Sequence, residues 1–159
     1  MATPPKDAQI VFDDAEAQEF IGGIIDKHKK ISERHEEVVA LMSAIVFRDI
    51  IQHFEKEEGP DGRWKAWSQN YRKFMASVGK TNNKILQDSG RLRGSFQPSN
   101  VRKVSDGILW FNNAKTGSGF PYAHAHNEGG PRLPQRKFMW ISDQAMSDIE
   151  TQILRYLGG

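Results

Sequence analysis

Between residues 24 and 57, apolar positions recur at steps of three and four. Val38, Leu41, Met42, Ile45, Val46, Ile50 and Phe54 fall on one side, and Glu36, Glu37, Ser43, Arg48 and Glu55 mostly on the other. That period is helical. A continuous helix of these 34 residues would measure about 50 Å at about 1.5 Å per residue, longer than a compact body of this chain length. Part of it is therefore expected against a neighbouring subunit. Upstream, Pro4-Pro5 keeps the first eight residues out of helix, and Gln9-Ile10-Val11-Phe12 reads as a short strand. Asp13-Asp14 then offers an N-cap to a helix from Ala15, which Gly22-Gly23 weakens. Gly59-Pro60-Asp61-Gly62 stops the long helix, because proline cannot continue it and Asp-Gly favours a turn.

Beyond that stop the pattern is mixed. Trp64, Trp67, Tyr71, Phe74 and Met75 are spaced for a helix over 63–77, and 84–88 reads as a helical turn. Residues 92–96 read as a strand, and 101–104 and 108–111 flank Ser105-Asp106-Gly107 as a hairpin. Ser142 is the expected N-cap of a terminal helix through Leu157, with Ala145, Ile149, Ile153 and Leu157 inward and Gly158 as the stop. The expected fold is α+β: a long N-terminal helical arm, a small, mainly antiparallel sheet from about residue 91 to 127, and a C-terminal helix. Trp64, Trp67, Leu92, Phe96, Leu109, Phe111, Tyr122, Phe138 and Ile149 are the expected core.

The net charge of +2 hides a strong asymmetry. Residues 1–62 carry 7 Lys/Arg against 14 Asp/Glu, whereas 63–140 carry 14 against 3. The chain thus divides into an acidic tail and helical arm (1–62) and a basic α+β body with the terminal helix (63–159), expected as one structural unit. Opposite blocks on one chain suggest self-association, nucleic-acid contact, or two faces packed within one monomer. With no cysteine there is no disulfide framework and no thiolate chemistry. No apolar run approaches the roughly 20 residues of a membrane span, and the polar opening residues lack a signal-peptide centre, so a soluble protein without membrane contact is expected.

Catalytic signatures are sparse. His124, His126 and Glu128 form an H-x-H-x-E run whose side chains would share one face of a strand, which invites a metal-dependent hydrolase reading. The glycines after Glu128 end the segment, and the basic region has only three acids to complete a site, so positioning of a loop is the favoured role. No nucleophile elbow or phosphate loop is present. The cations carry more weight: Arg91, Arg93, Arg102, Lys103, Arg136 and Lys137 cluster around the predicted hairpin and the last loop. Arg91 and Arg93 alternate along the predicted strand and should project from one face. They can meet phosphates without reading sequence, or the acids Glu36, Glu37, Glu55, Glu57 and Glu58 of a neighbour. A sequence-independent nucleic-acid-binding module is the alternative reading.

Four motifs stand in a telling order. Gly59-Pro60-Asp61-Gly62 precedes Trp64 and Trp67, and Lys84 to Ser95 includes Asp88-Ser89-Gly90-Arg91-Leu92-Arg93-Gly94. Tyr122-Ala123-His124-Ala125-His126-Asn127-Glu128-Gly129 follows, then Pro134-Gln135-Arg136-Lys137-Phe138 before the terminal helix. Over residues 36–157 this resembles the phage virion morphogenesis family, the tail-completion proteins of Mu-like and P2-like tailed phages. In this chain, His126-Asn127-Glu128-Gly129 replaces the usual His-Gln-aromatic-Gly ending. The resemblance implies a non-enzymatic virion protein without cofactor, acting at the tail end or head–tail junction as a subunit of a ring, commonly six-fold. Its implied partners are copies of itself, the tail tube, head-completion or connector proteins, and genomic DNA passing through the lumen without sequence specificity. It also implies structural roles for Pro60, Gly62, Trp64, Gly90, Leu92, Tyr122, His126, Gly129, Arg136 and Phe138.

Overall fold

The computed structural model of the chain describes residues 35–81, 84–104 and 107–158. The predicted strand at 9–12, its following helix and the first part of the long helix lie outside the described residues. In chain order the elements are α1 (His35–Lys56), β1 (Glu58–Gly59), β2 (Gly62–Arg63), α2 (Gln69–Ser77), α3 (Arg91–Gly94), a 3-10 turn (Pro98–Asn100), β3 (Val101–Val104), β4 (Gly107–Trp110), α4 (Tyr122–Glu128) and α5 (Asp143–Gly158). The class is α+β, with two small antiparallel sheets of two strands each among the described residues.

The helical period of α1 is realised as a buried stripe of Val38, Met42, Ile45, Val46, Ile50 and Phe54. It packs on α5, whose Ala145, Ile149 and Ile153 are buried at the predicted spacing. Ser142 caps α5 by accepting from the Ala145 N–H at 3.2 Å. Asp49, buried in the middle of α1, accepts from the Ser142 amide at 2.8 Å and hydroxyl at 2.6 Å, so one carboxylate fixes where α5 begins. Burial by itself pushes the Asp49 carboxyl up, but the His53 imidazole 3.5 Å away and the hydrogen bonds from Ser142 outweigh it and hold the group below its ordinary value.

α1 ends where Glu57 enters the left-handed region (φ 56). Pro60 and Asp61 form the two-residue loop between β1 and β2, with Gly62 at φ 114 closing it. The chain doubles back, and the Trp64 N–H donates to Glu57 O at 2.7 Å. The Trp64 ring meets Phe54 edge-on at 5.5 Å, and its Nε1 donates to Lys137 O at 3.0 Å. Phe54, Phe96 and Phe138 complete an aromatic cluster at the same end of α1.

Several expectations need correction. The helix predicted over 63–77 begins only at Gln69, capped by the Ser68 hydroxyl, and 84–88 forms a turn, not a helix. The strand predicted over 92–96 is the single helical turn α3 followed by irregular chain. Leu92 and Phe96 are both buried, and a spacing of four suits either period. Left-handed Gly90 and the Ser95 hydroxyl on Leu92 O accompany the turn. The sheet accordingly does not extend over 91–127: β3 and β4 pair from Val101↔Trp110 to Val104↔Gly107, and 122–128 is helix. Trp64, Leu92, Phe96, Phe111, Phe138 and Ile149 are buried as expected. Trp67, Leu109 and Tyr122 are only half-buried. Leu109 pairs with exposed Arg102 on the outer face of the hairpin, whereas Trp110 turns in and donates to Ser43 Oγ at 2.9 Å.

Candidate functional site

The Phe54 end of α1 supports an open cleft of about 820 Å³. One wall is the extended segment 65–68 with the start of α2, contributing Lys65, Trp67 and Tyr71. The opposite walls are segment 84–92, Tyr122 and His126 of α4, and the loop 130–136. Arg136 fastens two of these walls. It is 6% exposed, and its Nε and Nη2 donate to Lys65 O at 3.1 and 3.0 Å. Its own N–H donates to His126 O at 2.8 Å, tying α4 to the same joint. Burial, and then the positive charge of Arg136, lower the His126 pKa below its ordinary 6.5, which favours neutral imidazole at pH 7.

Below the cleft, Asn127 joins α4 to the chain entering α5. It is 1% exposed, and its Oδ1 accepts from the Phe138 and Met139 amides at 3.1 and 3.0 Å. Gly129 follows with φ 74, and a Cβ there would lie 2.7 Å from Gln135 N. Only glycine permits that approach. Gly130 and Leu133 exchange backbone hydrogen bonds, leaving Arg132 exposed at the tip of the loop.

The structure places the predicted cations in different settings. Arg93 pairs with Glu55 at 2.6 Å, and Lys103 pairs with Glu36. Arg102 lies 4.7 Å from the Phe111 ring centroid. Arg91 is exposed, Lys137 is half-buried, and Arg136 is committed to Lys65 O. The acids are engaged within the chain as well. Glu57 accepts from the Ile85 N–H at 2.6 Å, Glu58 pairs with Lys56 at 3.3 Å, and Glu37 accepts from the Tyr156 hydroxyl. The ion pairs of Arg93 and Lys103 are solvent-exposed, so each contributes little and is readily exchanged for another partner. Arg91 and Arg93 do not share a face: two residues apart on a helical turn, they diverge by about 200°.

His124, His126 and Glu128 also lie on a helix, so the one-sided strand arrangement is overturned. His124 and Glu128 share a face four residues apart, and His126 turns towards the cleft. Among the described residues no group of three His, Cys, Asp or Glu is placed to hold a metal ion, and no helix is long and apolar enough to cross a membrane.

Sequence reasoning missed Asn127 and Asp49, whose partners are distant in sequence. It also missed a surface. Tyr71, Phe74 and Val78 are 43%, 58% and 49% exposed, and Trp67 packs edge-on against Tyr71 at 5.3 Å. The missed signal was composition: residues 63–87 contain six Lys/Arg and no acid, which suits an outward-facing segment.

The geometry is that of a small α+β protein whose buried polar groups join its elements and whose surface carries an aromatic, cation-rich face. The phage virion morphogenesis family matches residues 12–158, nearly the whole chain, and the chain belongs to that family. It is thus a protein of phage virion assembly. No match was found among curated proteins or solved structures.

Proposed function

We propose that the chain is a structural, non-enzymatic subunit that completes the tail end of a tailed phage at the head–tail junction, assembling with copies of itself into a ring. The observation that carries this reading is the family match over residues 12–158. The charge blocks support it. A ring needs a head-to-tail interface with two different complementary patches, and the acidic 1–62 and basic 63–140 stretches supply them. Six-fold symmetry fits the tail tube and connector proteins proposed as neighbours. The protein then passes from host cytoplasm to virion during assembly.

In such a ring the accessible cations, half-buried Lys137 included, serve in one of two ways. Arg91, Arg102 and Lys137 are candidates for weak phosphate contacts with DNA passing through the lumen. Arg93 and Lys103 are candidates for exchange from their own acids to a neighbour's. Purified full-length protein, viewed by negative-stain microscopy and weighed by native mass spectrometry, tests the reading. Closed rings of uniform subunit number support it, whereas monomers that stay dispersed in the presence of purified tails overturn it.

A further inference from the structure

The exposed face of α2 is shaped for a partner. Tyr71, Phe74 and Val78 recur at three and four residues, and Tyr71 joins this stripe to Trp67 and the 820 Å³ cleft. Exposed apolar residues grouped in this way mark a contact surface. Cations predominate around it, and Asp88, an acid lining the cleft, pairs with Lys80 at 2.6 Å. Arg63, Lys65, Arg72, Lys73, Lys80 and Lys84 are the only charged residues from 63 to 87.

One other stretch of the chain has the opposite composition. Residues 7–26 carry six acids, Asp7, Asp13, Asp14, Glu16, Glu19 and Asp26, and no Lys or Arg. Between those acids stand Ile10, Val11, Phe12, Phe20, Ile21, Ile24 and Ile25. Six acids meet six cations, and each set is interleaved with large apolar side chains. Resting on the assembly reading above, the geometry points to the α2 stripe and its cleft as the docking surface for residues 7–26 of a second copy of this chain.

Residues 7–34 are long enough to reach from His35 past Phe54, since α1 runs about 28 Å between the two at about 1.5 Å per residue. The occupant is a second copy because the head-to-tail interface of a ring needs complementary patches on different subunits. A nucleic-acid strand would also favour the cations and aromatic rings, but it has no use for Val78 and leaves the acidic segment without a role.

The chain lacks cysteine, so a clean cross-linking test is available. Two full-length variants, Gln18→Cys and Lys73→Cys, one carrying a longer tag, are mixed and oxidised, with oligomeric state read in parallel by native mass spectrometry. The expected result is a mixed dimer that predominates over both homodimers and is lost when Phe74→Glu is added to the Lys73→Cys chain. Phe74 is 58% exposed, so retained helicity by circular dichroism shows that the loss is not unfolding. Intact rings without the mixed dimer overturn the docking while leaving the assembly reading in place. Absence of both rings and mixed dimer overturns the two together. A double Gln18→Cys/Lys73→Cys chain that closes only on itself, or a stripe that is uncrosslinked and shielded by a single-stranded oligonucleotide, also overturns the docking.

Discussion

Replacing Asn127 by alanine removes the one acceptor shared by the Phe138 and Met139 amides, and all three residues are buried. An orphaned buried donor costs about 1–3 kcal/mol, so two cost about 2–6 kcal/mol. Against a total stability of about 5–15 kcal/mol, that is a large fraction. With a urea dependence of about 2 kcal/mol per molar, the unfolding midpoint should fall by about 1–3 M. Tryptophan fluorescence provides the assay, since Trp64 and Trp110 are buried and become exposed on unfolding. Protein concentration must be the same for both proteins, because association adds to apparent stability. His124→Ala, an exposed change on the same helix, should stay within about 0.5 kcal/mol. An equally small effect for Asn127→Ala would refute the claim that its carboxamide joins α4 to the chain entering α5.

Gly129→Ala should cost at least about 1–3 kcal/mol from backbone strain alone, with a further penalty from contact with Gln135 N, measured by the same melts. Trp64→Ala should cost about 3–5 kcal/mol, but Trp67→Ala less than about 2, because only Trp64 is sealed against Phe54; equal costs would undo that distinction. Stability should fall on acidification in two windows. Below about pH 6.5 the unfolded chain takes up a proton that native His126 resists. Below about pH 3.8, as pH falls through the lowered native value of Asp49, the hydrogen-bonded carboxylate is lost as well. His126→Gln should flatten the first window and leave the second. Self-association should weaken between 0.1 M and 1 M salt as the Debye length falls from about 10 Å to about 3 Å, and salt-independent association would contradict an electrostatic contact.

What could be read from the sequence was written in local periodicity. The stripe of α1, the hairpin around Ser105-Asp106-Gly107 and the Ser142 cap need only neighbouring residues to define them. The 92–96 segment was misread because Leu92 and Phe96, four apart, satisfy strand and helix alike. For Tyr71 and Phe74, spacing defined a face but not its direction, and the face turned to solvent with Trp67 half-buried beside it. The resemblance implied a structural role for Arg136, but its acceptor was hidden because Lys65 O lies 71 residues away. Charge counting found the acidic and basic blocks, yet Arg93–Glu55 and Lys103–Glu36 join them within a single chain.

Reconstruction of the head–tail junction in intact virions, by electron cryomicroscopy, tests the proposed role most directly. A closed ring at the tail end, each subunit fitting α1, the β3–β4 hairpin and α5, is the expected result. Exposed cations among Arg91, Arg102 and Lys137 should then face the channel, with the α2 stripe covered by a neighbour. Absence of the chain from the virion, or its location in the capsid shell, would contradict the assignment to tail completion.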